Sequence, residues 1–186
     1  IANFGESNVG KMKHIYRIGL GHRYGRSMQT IAGIHYNFSV PDPIWHLIAT
    51  FRKPGLSFKD IKTDGYFGLI RNFRRSAWLL NYLLGATPSV CGSFVDGKTH
   101  KLALLNDKKS FFSPYATSLR MGDLGYQSEA QASLNITYND LQSYTRSLKA
   151  ALRKSHPKYS VVGLKDDSGH LKQLNTNLLQ IENEFY

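Results

Sequence analysis

Residues 33–41, GIHYNFSVP, alternate at a period of two. Ile34, Tyr36, Phe38 and Val40 fall on one side and His35, Asn37 and Ser39 on the other. Successive side chains of an extended chain point to opposite faces, so the pattern predicts a half-buried strand. One face must then find a core. The other displays an imidazole and an amide, neither a usual choice for a solvated sheet surface. Extended backwards, the polar face gathers Gln29, Gly33, His35 and Asn37, and Gly33 would let another group approach closely.

Around that ribbon the chain mixes strands and helices without a regular βαβ rhythm, which predicts an α+β fold. SNVGKMKHIYRIGL (7–20) reads as a helix with Ser7 as N-cap and Gly21 at its end. PDP (41–43) breaks the pattern, and 44–65 is ambiguous. A second helix over 66–84 is apolar nearly all round in its second half (Trp78, Leu79, Leu80, Tyr82, Leu83, Leu84), which predicts a place in the core. Gly85 and Pro88 stop it. VDGK (95–98) and DDSG (166–169) read as turns. A third helix covers 139–154 with Leu141, Tyr144, Leu148 and Leu152 as its buried stripe, and 172–186 reads as a final strand. The chain is long enough for one domain with its own core.

No apolar run approaches the roughly 18 residues needed to span a bilayer. AWLLNYLLGA (77–86) is short and interrupted by Asn81. The N-terminus lacks a secretory pattern, and the lone Cys91 cannot pair internally, so a reducing cytoplasm is expected. Cys91, in SVCGSF, reads as a small core residue. The chain begins at Ile1 and closes at Tyr186, inside the strand-like run NLLQIENEFY. A strand needs its partner layer, so a fragment of a longer chain is expected. The net charge of +11, from 24 Lys+Arg against 13 Asp+Glu, points to an anionic partner. The basic residues are dispersed, and no zinc spacing or aromatic RNA-binding signature accompanies them.

Candidate chemistry falls into four groups, each with a structural alternative. Gln29, His35 and Asn37 could line a polar cleft with the imidazole on a metal or phosphate, or could simply bond neighbouring elements. Tyr16, Arg17 and Leu20 could form a small mixed pocket, or be ordinary core contacts beside a solvated arginine. Arg120 and Tyr126, in SPYATSLRMGDLGY, suggest a guanidinium held for a carboxylate or phosphate. An internal acid such as Asp123 would serve equally. On the last strand Gln180, Glu182, Glu184 and Tyr186 share a face, whose carboxylates could hold a hard cation or pair with the many bases. HExxH, GxxxxGK[ST] and GxGxxG motifs are all missing.

Four motifs together are more telling. SNVGKMKHIYRIGLGHRYG, MQTIAGIHYNFS, PYATSLRMGDLGY and LLQIENEFY, in this order and spacing, closely resemble bacterial glutamate–cysteine ligase, over essentially all 186 residues. The resemblance implies a glutamine-synthetase-like fold, a mostly antiparallel curved sheet forming a funnel with helices outside. Residues 1–186 would be one partial catalytic domain from the middle of a longer ligase. It implies small-molecule substrates, L-glutamate and L-cysteine, joined with ATP and Mg²⁺ through a γ-glutamyl phosphate in the first step of glutathione synthesis. No nucleic acid or membrane partner is implied. By the same resemblance His35 matches a metal-supporting histidine. Tyr16, Arg17, Leu20 and Tyr126 match residues around the cysteine side chain, and Arg120 and Tyr186 match groups holding its carboxylate. Gln29 and Asn37 fall in the glutamate or metal surroundings. The family's acidic metal ligands have no counterpart in this chain, so no catalytic residue is assigned within it and the segment alone is expected to be inactive. The competing expectation is a non-catalytic basic module for nucleic acid or another polyanion.

Overall fold

A computed structural model of the chain describes residues 1–30, 36–51, 55–85, 88–119 and 129–185, apart from the side chains of Met28 and Glu129. It contains helices α1 (Asn8–Tyr24), α2 (Asp42–Thr50), α3 (Phe58–Leu84), α4 (Gly92–Val95), α5 (Glu129–Ala132), α6 (Leu141–Ala151) and α7 (Pro157–Val162). Strands β1 (Ser89–Cys91), β2 (Ala103–Leu104) and β3 (Ser110–Phe112) form an antiparallel sheet with β3 in the middle. Short 3-10 turns occupy Arg26–Thr30 and Glu182–Glu184. The architecture is α+β.

Local chemistry sets the helix ends. Ser7 caps α1 by accepting from the Gly10 amide, and Ser57 and Asp140 cap α3 and α6 in the same way. Gly21 does not end α1. The helix runs one turn further, to Gly25, whose φ of +89° suits a residue without Cβ. Pro157 opens α7, because its fixed φ suits a first helical turn. The ambiguous stretch after PDP holds α2. Its Trp45 is buried, donates its indole N–H to the Val40 carbonyl, and packs closely against Gly65 of α3. A Cβ at Gly65 would stand 2.3 Å from that ring. The VDGK and DDSG turns are present: Lys98 N–H donates to Val95 and Gly169 N–H to Asp166.

Four expectations fail. Within the described part of 33–41, residues 36–40 form no strand and Tyr36 is 87% exposed. An alternating ribbon keeps its geometry only against a pairing strand and a core layer. Residues 172–185 contain no strand ladder, only an isolated bridge from Asn177 to Ser155. The second half of α3 is exposed, not core. Cys91 is likewise exposed. Among the described residues two small buried clusters form around the C-terminal segment. Leu178 meets Ala130 and Tyr159, and Leu179 meets Leu148 and Ala151.

Candidate functional site

Helix α1 organises the described part of the site through two faces. Tyr16, Gly19, Leu20 and Arg23 stand at i, i+3, i+4 and i+7, one stripe laid against the C-terminal segment. Leu20 is fully buried and Tyr16 half-buried. The contact at Gly19 is intimate, since a Cβ there would fall 2.3 Å from the Gln180 side chain. Gln180 in turn donates to the Tyr16 carbonyl at 3.5 Å and accepts from the Leu174 amide at 3.1 Å.

Arg23 anchors this interface, with its side chain and that of Glu184 wholly enclosed. Its Nε donates to Gln173 Oε1 at 3.0 Å and its Nη2 to the Asn175 carbonyl at 2.7 Å. The guanidinium sits 4.0 Å over the Tyr159 ring, and Nη1 faces Glu184 Oε1 at 3.6 Å. Glu184 Oε2 accepts from the Gln180 amide. Burial pushes the Glu184 carboxyl up from its ordinary value, against the pull of the Gln180 amide and Arg23. Burial likewise lowers the Arg23 guanidinium, although Glu184 opposes the shift. Of the carboxylates expected on one strand face, Glu184 is therefore a buried ion-pair partner, whereas Glu182 is exposed.

The other face of α1 carries Arg17, which is exposed. The chain reverses at Gly25, and the 3-10 turn returns Gln29 so that its Nε2 donates to the Arg17 carbonyl at 2.9 Å. Arg17, Arg26, Gln29 and Thr30, with Ile1, Ala2 and Phe4, line a cavity of about 430 Å³. Two arginines, an amide and a hydroxyl residue beside apolar Ile1, Ala2 and Phe4 have the chemistry for a small ligand bearing carboxylate or phosphate.

The structure thus brings Arg17 and Gln29 together and puts Tyr16 and Leu20 on the neighbouring stripe. Asn37 is exposed, before α2. His35, Arg120, Tyr126 and Tyr186 lie outside the described residues. The segment leading to Arg120 packs on the end of α3, where a Cβ at Gly85 would press on Thr117. Among the described residues no group of three or more His, Cys, Asp or Glu side chains could hold a metal ion. Nor is any helix among them long and apolar enough to cross a membrane. Sequence reasoning singled out Glu184 but missed its partner Arg23, together with Gln173, Asn175 and Tyr159. Arg23 could have been suspected from its i+7 spacing to Tyr16 on the Gly19/Leu20 face; Gln173 carries no such signal.

The α+β scaffold thus sets a doubly basic, amide-bearing cavity beside the buried stripe of α1. The whole chain, residues 1–186, matches the family model for glutamate–cysteine ligase, and the protein belongs to that family. It is 57% identical over 186 residues to the glutamate–cysteine ligase of Saccharophagus degradans and 53% identical to that of Pseudomonas entomophila. In each case all of this chain aligns with 35% of the relative. A 2.0 Å crystal structure of glutamate–cysteine ligase from Francisella tularensis in complex with AMP superposes with a TM-score of 0.86 at 43% identity. The match covers all of this chain and 35% of that one. The chain thus spans about a third of the length of these relatives.

Proposed function

We propose that this chain supplies the cysteine side, and part of the nucleotide and metal surroundings, of a glutamate–cysteine ligase. In that reaction a γ-carboxylate oxygen of L-glutamate attacks the terminal phosphorus of ATP and ADP leaves. The amine of L-cysteine then attacks the acyl carbon and phosphate leaves, giving γ-glutamylcysteine. The observation that supports this reading is the convergence of Arg17 and Gln29, both marked by the family resemblance, on one cavity with Arg26. Tyr16, Arg17, Leu20 and Tyr126 are assigned to the cysteine side chain, Arg120 and Tyr186 to its carboxylate, and Gln29 and Asn37 to the glutamate or metal surroundings. The AMP bound by the Francisella relative supports a nucleotide site in the assembled enzyme.

Mg²⁺ would supply charge neutralisation of the phosphates. The described residues hold no cluster of acidic, histidine or cysteine ligands for it; His35 is assigned to it as a ligand-supporting residue, with Gln29 and Asn37 in the glutamate or metal surroundings. The guanidiniums of Arg17 and Arg26 would add fixed positive charge at an anion site without reorganisation. An exposed free thiol, Cys91, fits a reducing, cytoplasmic setting.

A different observation favours the polyanion reading. Arg146, Lys149 and Arg153 line a groove of about 450 Å³ along α6 with Gln142, Thr145 and Ala150. Binding there would weaken steeply with salt. The decisive experiment exchanges this chain for the matching stretch of the Saccharophagus relative and follows ADP release in a coupled assay. The expected result is release that requires both glutamate and cysteine in the chimera, and none from the 186-residue chain alone. A folded chimera without dual dependence, or robust turnover by the isolated chain, overturns the reading.

A further inference from the structure

The second half of α3 is apolar around most of its circumference and largely uncovered. Nine large apolar residues between Leu69 and Leu84 are each at least 37% exposed. Leu69, Phe73, Leu80 and Leu84 recur at i, i+4, i+11 and i+15 on one side of the helix, with Ser76 and Ala77 between the two pairs. Trp78 and Tyr82 extend the apolar surface to another side, at 68% and 71% exposure. The described contacts of the helix fall mostly on its first half: Trp45 of α2 lies on Gly65, Phe67 meets the Tyr144 ring, and Arg71 donates to the carbonyls of Tyr138 and Asn139. A soluble monomer seldom exposes so long a contiguous apolar face unless something docks there.

The relatives say what kind of body that is. The same 186-residue stretch makes up 35% of the Saccharophagus ligase, and the same fold makes up 35% of the Francisella chain. In both, nearly twice as much further polypeptide accompanies this fold. Pairing of two copies through the stripe is the poorer solution, since each chain carries a net charge of +11. We infer that the exposed face of α3 from Leu69 to Leu84 is the docking surface for the part of a glutamate–cysteine ligase polypeptide that lies outside the stretch matched by this chain. The inference rests on fold and family membership and stands independently of the assignment of cysteine-binding residues.

Thiol labelling tests it. Leu80→Cys and Leu84→Cys are introduced singly into the 186-residue chain and into the chimera that carries it in place of the matching stretch. Maleimide labelling is read at each position by mass spectrometry, relative to the urea-unfolded protein. Rapid labelling is expected in the chain alone, slowed roughly a hundred-fold or more in the chimera, as for a site that reacts only on opening. The same substitutions at the aligned positions of the intact Saccharophagus ligase should be equally protected, which keeps the test decisive if the chimera misfolds. Equal labelling in the isolated chain and the longer proteins overturns the inference. So does labelling of the isolated chain that slows as its concentration rises, because a second copy would then be the occupant.

Discussion

Removing Arg23 tests the physical heart of the structure, the tie between α1 and the C-terminal segment. Across the 3.6 Å gap to Glu184, at an effective dielectric of about 20, the attraction is about 5 kcal/mol. That is comparable with the several kcal/mol needed to strip water from each ion, so the pair contributes little net stability. Its two members are unequal, however. Arg23 keeps Gln173, Asn175 and the Tyr159 ring if Glu184 is neutralised. Without Arg23, Glu184 Oε1 loses its counter-ion and has no hydrogen bond to fall back on. Arg23→Met should therefore cost about 3–5 kcal/mol, read by urea denaturation at constant m-value. Glu184→Gln should cost less, and Arg23→Met/Glu184→Gln should be less destabilised than the sum of the singles.

The pH dependence has a definite sign. Burial raises the folded Glu184 pKa above its unfolded value, so the folded state favours the protonated carboxyl. That preference is fully present below the ordinary carboxylate value of 4.5 and is lost as pH rises through the raised folded value. Taking away the cation raises that value further. The stability deficit of Arg23→Met relative to the parent should thus be smallest near pH 4.5 and grow toward neutrality. A cost below about 1 kcal/mol, additive singles, or a deficit independent of pH would refute the reasoning.

Two further substitutions report on packing. Gly65→Ala must displace the Trp45 ring, whose nearest atom would lie 2.3 Å from the new Cβ. A loss of about 1–3 kcal/mol is expected from the same denaturation assay, and a neutral result would contradict the α2–α3 contact. Trp45 is buried and Trp78 exposed, and these are the only two tryptophans. Trp78→Phe should therefore blue-shift the emission of the isolated chain and sharply reduce acrylamide quenching, whereas unchanged quenching would place Trp78 under cover.

What the sequence disclosed depended on how local the signal was. Ser7 and Gly85 act within one turn of a helix, and the helix ends they set follow from neighbouring residues, whereas α3 begins at Phe58 behind the Ser57 cap, inside the stretch that reads as ambiguous. The buried stripe of α6 is legible at Leu148, with Tyr144 and Leu152 half-buried beside it. Leu141 is exposed, because it opens the helix beyond the reach of its core cluster. The C-terminal segment defeats periodicity for a specific reason. Gln173, Asn175, Asn177 and Gln180 satisfy main-chain groups through side-chain bonds, replacing the regular ladder that a period of two announces. α3 misleads differently: its apolar pattern predicts burial, yet among the described residues the side chains of its second half stand exposed. In the site, Gln29 meets Arg17 only because the chain reverses at Gly25, a tertiary consequence that spacing does not encode. His35, Arg120, Tyr126 and Tyr186 stood out as site residues chiefly through the family resemblance.

The most direct test of the cysteine-side assignment is the Michaelis constant for L-cysteine in a complete ligase that carries this chain, with and without Arg120→Ala. A charge-assisted bond to the cysteine carboxylate is worth about 1.5–3 kcal/mol, so that constant should rise roughly ten- to hundred-fold. The constant for ATP should change by less than about threefold. An unaltered value for cysteine, or an equal rise for ATP, would contradict the account.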